Sequence, residues 1–145
     1  MKESLLPHFK PQGYPTVSPY FIVTDAAATI RFLETVFGAE CMRRFPDSEG
    51  RLMHAEVRLA DAVIMLADSA PQWPPVASYV HVYVQDVDAT YARALAAGAT
   101  SVQVPVRGKD EDKRGGVRDP GGTTWWIATR VAEAGPQAIV TPPAR

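Results

Sequence analysis

Residues 18–40, SPYFIVTDAAATIRFLETVFGAE, and residues 78–100, SYVHVYVQDVDATYARALAAGAT, carry one pattern twice. Each runs an extended apolar segment into an aspartate, then a helix-spaced segment, then Gly-Ala. The copies lie about sixty residues apart, too long a period for a solenoid, and mark a duplicated module. Val17 to Val23 and Tyr79 to Val84 are rich in β-branched and aromatic residues and predict strands. Asp25 and Asp86 stand where an N-cap belongs, because a short carboxylate accepts from the free amides of a first helical turn. Ile30, Leu33, Val36 and Phe37 recur at helical spacing, as do Val87, Tyr91, Ala94 and Leu95. Gly38 and Gly98 then stop the helices, since a left-handed conformation costs glycine little.

Working outward, three extended runs follow each helix. They are expected at 40–45, 52–59 and 63–67 in the first half, and at 101–106, 115–118 and 124–129 in the second. Asp119-Pro120-Gly121-Gly122 is a hairpin turn, with Pro setting φ and Gly supplying positive φ. Arg107 to Arg114 mixes both charge signs and reads as a solvated loop before that hairpin. The order is βαβββ–linker–βαβββ. The fold class is α+β, one domain over 15–132 made of module one (15–68), a linker (69–77) and module two (78–132). Residues 1–14 and 133–145, rich in Pro and without period, read as a flexible arm and tail.

Composition bounds the function. Fifteen Lys and Arg against sixteen Asp and Glu leave a net charge of −1, which argues against a nucleic-acid or polybasic membrane binder. No apolar run approaches the ~20 residues of a spanning helix, and the first residues lack the apolar core of a secretory signal. One cysteine, Cys41, rules out an internal disulfide and a Cys-rich zinc site. It reads as a small apolar filler rather than an activated thiol. A cytoplasmic protein is expected.

The duplicated order, DAAATIRFLETVFGAE, DVDATYARALAAGA and GGVRDPGGTTWWIA together resemble the vicinal oxygen chelate superfamily. This is the family of glyoxalase, bleomycin-resistance protein and extradiol dioxygenase, and the nearest likeness is its small bacterial glyoxalase-like branch. The resemblance implies two βαβββ modules with sheets curling into a half-open cup, usually completed in a homodimer. It also implies a metal quartet of His, Glu or Gln from the first and last strand of each module. Those positions map to Ser18, Met65, Tyr79 and Trp126, none of them a good ligand for a hard or borderline divalent cation. The expectation is therefore no cofactor and no metal at the family site.

Strand alternation adds the rest of the cup. Tyr20 and Ile22 join Ser18 there, with Val17, Pro19, Phe21 and Val23 against the helix. His81, Tyr83 and Gln85 follow Tyr79, and Thr124 and Ala128 flank Trp126. His54, Glu56 and Arg58 share one face of their strand, with Met53, Ala55, Val57 and Leu59 on the helix side. Tyr20, Tyr79, His81, Tyr83, Arg114 and Trp126 are the expected ligand-binding residues. The four aromatics among Tyr20, Tyr79, Tyr83 and Trp126 either wall a flat ligand or fill the cup. Trp73 is either a lid or an anchor for the linker.

His54, Glu56 and His81 are the candidate catalytic residues, with three readings. They form a relocated metal site, or an acid–base pair, or a polar strand face with Glu56 paired to Arg58 or Arg114. The leading expectation is a homodimer sequestering or carrying a small organic molecule in a metal-free pocket. The alternative is a lyase, isomerase or dioxygenase of the same superfamily.

Overall fold

The computed structural model describes residues 9–133. The chain divides into two compact units, Met1–Val76 and Ala77–Arg145, and each repeats the order β-α-β-β-β. The first holds β1 (Tyr20–Val23), α1 (Ala26–Phe37), β2 (Glu40–Pro46), β3 (Leu52–Leu59) and β4 (Ala62–Asp68), with sheet order β1-β4-β3-β2. The second holds β5 (Tyr79–Tyr83), α2 (Val87–Ala96), β6 (Thr100–Arg107), β7 (Asp112–Arg118) and β8 (Thr124–Arg130), with sheet order β5-β8-β7-β6. The expected α+β class and tandem βαβββ plan are therefore present, as two open mixed sheets with one helix each.

The first strand of each module pairs in parallel with the last. The other neighbours are antiparallel. A parallel pair needs a long crossover, and the helix begins it. Asp25 caps α1 by accepting from the Ala28 amide at 3.0 Å, and Asp86 caps α2 from Ala89 at 3.1 Å. Gly38, at φ 68°, ends α1 in the left-handed region.

Alternation sorts the faces. Phe21 and Val23 of β1, Ala55 and Val57 of β3, and Ile64 and Leu66 of β4 are buried, with Ile30, Leu33 and Val36 of α1. In the second module Val82, Val117, Trp125 and Ile127 are buried with Val87 and Ala94 of α2. Each fully buried aliphatic side chain contributes roughly 1.5–3 kcal/mol, so these sets explain why the helices sit on that face.

Four expectations need correction. β1 begins at Tyr20, and Val17, expected against the helix, is 80% exposed because Pro19 precedes the regular strand. Met53 is exposed rather than packed on the helix. Leu95 is likewise exposed, and the buried stripe of α2 is Val87, Thr90 and Ala94. The charged run 107–114 is a loop only over 108–111, with 108–110 exposed. β6 extends through Arg107, β7 starts at Asp112, and the Asp112 side chain is buried between partners described below. Of the arm and tail expected at 1–14 and 133–145, only residues 9–14 and Glu133 lie within the described residues.

The turn after β7 is built as its sequence demands. The Gly122 amide donates to the Asp119 carbonyl at 3.0 Å, and Gly122 takes φ 96°. Asp119 Oδ1 accepts from the Gly121 and Thr123 amides, and Oδ2 accepts from Trp125 Nε1 at 2.9 Å. Each buried donor left without an acceptor costs about 1–3 kcal/mol. Asp119→Ala is therefore expected to lower unfolding stability by at least about 2 kcal/mol in a urea titration. A wild-type midpoint would show that the carboxylate does not hold the turn.

Candidate functional site

In the first module the ladder sets Tyr20 beside Met65, and Met65 beside Glu56. On β2, Arg43 lies beside Glu56 and Phe45 beside His54. Glu56 is 6% exposed, and a carboxylate so far from water needs partners. It has three. The Tyr14 hydroxyl donates to Oε1, His54 Nε2 lies 2.9 Å from Oε2, and Arg43 Nε stands 3.6 Å from Oε1. Burial pushes the Glu56 carboxyl up. The hydrogen bonds from Tyr14 and His54 and the charge of Arg43 outweigh it and hold the group below the usual range. The same bond raises the Tyr14 phenol.

With Nε2–H committed to Glu56, a neutral His54 presents the lone pair of Nδ1. The Tyr20 hydroxyl lies 2.8 Å from that nitrogen. Tyr20, His54 and Glu56 thus form one hydrogen-bonded chain running from an exposed phenol to a buried carboxylate.

Tyr20 also borders a concavity of 790 Å³ within this module. Ile22, Leu52, Met53, Ala67 and Trp73 give it apolar walls, and Arg51 and Asp68 are among its polar groups. Asp68 is fixed there by the Ala26 and Leu52 amides at 2.7 and 2.6 Å. Arg51 is held by the Ser69 carbonyl at 3.0 Å. The segment after β4 folds back on the sheet. Ser69 and Val76 donate to the Val23 and Ile22 carbonyls, and Ala70 and Trp73 bridge each other.

The corresponding row of the second module is His81, Trp126 and Gly116. The indole of Trp126 adjoins Gly116, where an added Cβ would come within 2.7 Å of the ring. His81 Nε2 accepts from Arg114 Nε at 3.1 Å. A guanidinium only donates, so Nε2 carries no proton and the imidazole is neutral. Burial, then the charge of Arg114, holds the His81 pKa below its ordinary value. Arg114 also reaches Asp112 at 2.7 Å and Asp110 at 3.1 Å. The Tyr83 hydroxyl donates to Asp112 at 2.7 Å, which raises the phenol.

The candidate residues therefore fall into two groups. The first module joins Tyr20, His54 and Glu56. The second joins His81, Tyr83 and Arg114, with Trp126 in the His81 row. Tyr79 stands 74% exposed at the start of β5. Glu56 is paired with Arg43, His54 and Tyr14, not with Arg58 or Arg114. Arg58 instead donates to the Gly13 carbonyl at 3.1 Å. The ladder places Tyr20 opposite Met65 and His81 opposite Trp126, two residues beyond Ser18 and Tyr79. Among the described residues no three His, Cys, Asp or Glu side chains gather as a metal-holding group. The donors Tyr20, Met65, His81 and Trp126 are no better a set for zinc or nickel than the mapped quartet.

Tyr14, Arg43, Arg51, Asp68 and Asp112 escaped the sequence reading as site residues. Tyr14 lies in a segment without periodicity, and Arg43 is separated from Glu56 by the β2–β3 turn and a register shift. Asp112 was hidden in a charge run. Strand alternation across that run would have paired it with Arg114.

Residues 8–127 match the pattern of the Glyoxalase/Bleomycin resistance protein/Dioxygenase superfamily. The chain belongs to that superfamily. An uncharacterised protein of Mycobacterium bovis is 36% identical over 132 residues, covering 82% of this chain and 86% of the relative. An uncharacterised protein of Mycobacterium tuberculosis is also 36% identical, with 82% and 76% covered. Among solved structures, TioX from Micromonospora sp. ML1 superposes with a TM-score of 0.69 at 24% identity, covering 80% of this chain and 98% of TioX. A glyoxalase-related enzyme from Fulvimarina pelagi gives 0.66 at 21% identity, with 90% and 99% covered. These likenesses fix the vicinal oxygen chelate fold, and the resemblance read from the sequence stands.

The pKa shifts in this glyoxalase-like chain separate two acid transitions. His81 is held below its free value of 6.5, so the unfolded chain binds more protons below that pH. Its contribution is complete above about 6.5 and is lost as pH falls toward the folded pKa. Glu56 is held below 4.5. Its contribution is complete above about 4.5 and is lost only at lower pH. Thermal melts should therefore decline first below about pH 6.5, and His81→Gln should flatten that step while leaving the more acidic one. An unchanged first step would assign it to another group.

Proposed function

We propose that the protein binds a small organic molecule in the first-module concavity, in a sequestering or carrier role, without a resident metal. The observation that carries this reading is the 790 Å³ space walled by Tyr20, Ile22, Leu52, Met53 and Trp73. Its size and its few fixed polar groups match those of small-ligand pockets. Asp47, Arg51 and Asp68 line it, so their formal charges favour a neutral or weakly cationic ligand over an anion. The metal-free reading rests on the donor chemistry of Ser18, Met65, Tyr79 and Trp126. No described helix is long and apolar enough to cross a membrane.

The second reading is an enzyme of the same superfamily, a lyase, isomerase or dioxygenase. The His54–Glu56 pair favours acid–base chemistry among these, because it supplies an imidazole with its tautomer set by a carboxylate.

Binding is tested with an environment-sensitive naphthalene dye. One saturable site per chain is expected, and Trp73→Ala should weaken it about two- to tenfold, the worth of one aromatic contact. Dye binding indifferent to Trp73 would move the ligand elsewhere.

A homodimer is part of the same proposal. The edge strand β6 carries exposed Val102, Val104 and Val106, and isologous pairing is the commonest way to cover such a surface. Light scattering should give twice the 15.8 kDa of one chain. A monomer at all concentrations would refute it.

A further inference from the structure

Strand β6 ends the second sheet, with β7 as its only strand neighbour among the described residues. Its outer side therefore offers a row of backbone donors and acceptors, on which a further strand can add. The two modules treat this edge differently. The first sheet ends on β2, where Glu40, Arg43 and Arg44 stand exposed. Charges of that kind keep a second strand off an edge. β6 carries no charge from Thr100 to Val106, and Val102, Val104 and Val106 are exposed along it. Pro105 withholds one donor and leaves the others.

The chain leaves this same sheet at the matching end. Arg130 of β8 stands beside Asp112 of β7, and Arg107 of β6 beside Lys113, so β8 and β6 finish on the same side of the sheet. The Val131 and Ala132 amides both donate to the Glu111 carbonyl, at 2.8 and 3.2 Å, and fasten the exit to the loop between β6 and β7. Residues 134–144, AGPQAIVTPPA, follow without a charge. Ile139, Val140 and Thr141 are strand formers, and Pro136 and Pro142 bracket Gln137–Thr141 as breaks. The position outside β6 is three strand spacings from β8, about 14 Å. The steps from Ala132 to Gln137 reach about 16–18 Å when extended.

We infer that Gln137–Thr141 adds to the outer edge of β6 in the same chain, as an antiparallel strand that closes the second sheet. The direction follows from the exit point, because a chain arriving at the Arg107 end of β6 runs toward Thr100. The attachment decides the occupant. A short tether holds the segment at an effective concentration in the millimolar range, which a strand of another molecule does not match. The pairing removes the edge on which chains would otherwise add to one another. It uses the backbone of β6 alone and leaves the valine side chains for the second copy proposed above. Neither the ligand reading nor the homodimer is needed for it.

The full-length protein is followed by amide hydrogen exchange. The β6 amides that do not bond β7, and amides within Gln137–Thr141, should exchange about tenfold or more slowly than those of an open chain. Ile139→Pro removes a donor from the tail and should return both sets to the open-chain rate. A tail without protection overturns the inference. Protection of β6 that survives Ile139→Pro means that something else covers the edge, and overturns it too. Cross-linking then separates one chain from two. In a Cys41→Ser background, Ile139→Cys is combined in turn with Val102→Cys, Val104→Cys and Val106→Cys. Facing residues of an antiparallel pair lie about 4.5–5.5 Å apart, inside the roughly 4.4–6.8 Å that a disulfide spans. At least one pair should oxidise within a chain and run at monomer mass on a non-reducing gel. Disulfides formed only between chains assign the strand to a second copy and overturn the same-chain pairing. No disulfide in any of the three overturns the pairing outright.

Discussion

The parallel pairing of the first strand of each module with its last is the constraint on which the other features depend. It cannot be made by a tight turn, so the chain must leave the sheet, form a helix and return through two antiparallel strands before the pair closes. Once closed, register fixes every row across the sheet. Tyr20, Met65 and Glu56 share one row, and His81, Trp126 and Gly116 share the matching one. A slip of one residue on β1 would turn Phe21 and Val23 to solvent and Tyr20 toward the helix. The buried apolar face therefore also places the polar one.

A buried carboxylate makes the second demand. Glu56 lies on an otherwise open face, yet it is nearly withdrawn from water. That is tolerable only because Tyr14, His54 and Arg43 supply donors from three separate segments. Its presence thus organises more than one strand. It engages the segment before β1 through Tyr14, orients the His54 ring, and through that ring meets Tyr20. The second module meets the same demand differently. There the buried acid is Asp112, whose Oδ2 meets Arg114 and Tyr83 while its Oδ1 has no hydrogen-bond partner.

Much of this was legible in the sequence, and the boundary of what was legible has a physical cause. Helices α1 and α2, their aspartate caps and the Asp119 turn follow from local chemistry that operates within a few residues. The facing of Tyr20, His54, Glu56 and His81 follows from a period of two. The partners of Glu56 do not, because Tyr14 and Arg43 approach from outside β3 and no local pattern records a contact across strands. The irregular ladder of β2 hides Arg43 further, since a register shift between Cys41 and Arg43 breaks the simple alternation. The concavity depended on Trp73, whose segment has no period and is folded back by backbone hydrogen bonds to Val23 and Ile22.

Duplication explains why one fold carries two different polar clusters. Corresponding positions keep the same backbone row, so a substitution changes chemistry without changing geometry. Where the first module has Glu56, the second has Gly116, and the space a side chain would take is filled by the Trp126 ring. Where the first has His54 between a phenol and a carboxylate, the second has Arg114 between an imidazole and two carboxylates. Imidazole can hold or release a proton near neutral pH, whereas guanidinium stays charged. The copies share a scaffold, and the residues at three matching positions, Tyr20 and His81, His54 and Arg114, Glu56 and Gly116, give each row its own chemistry.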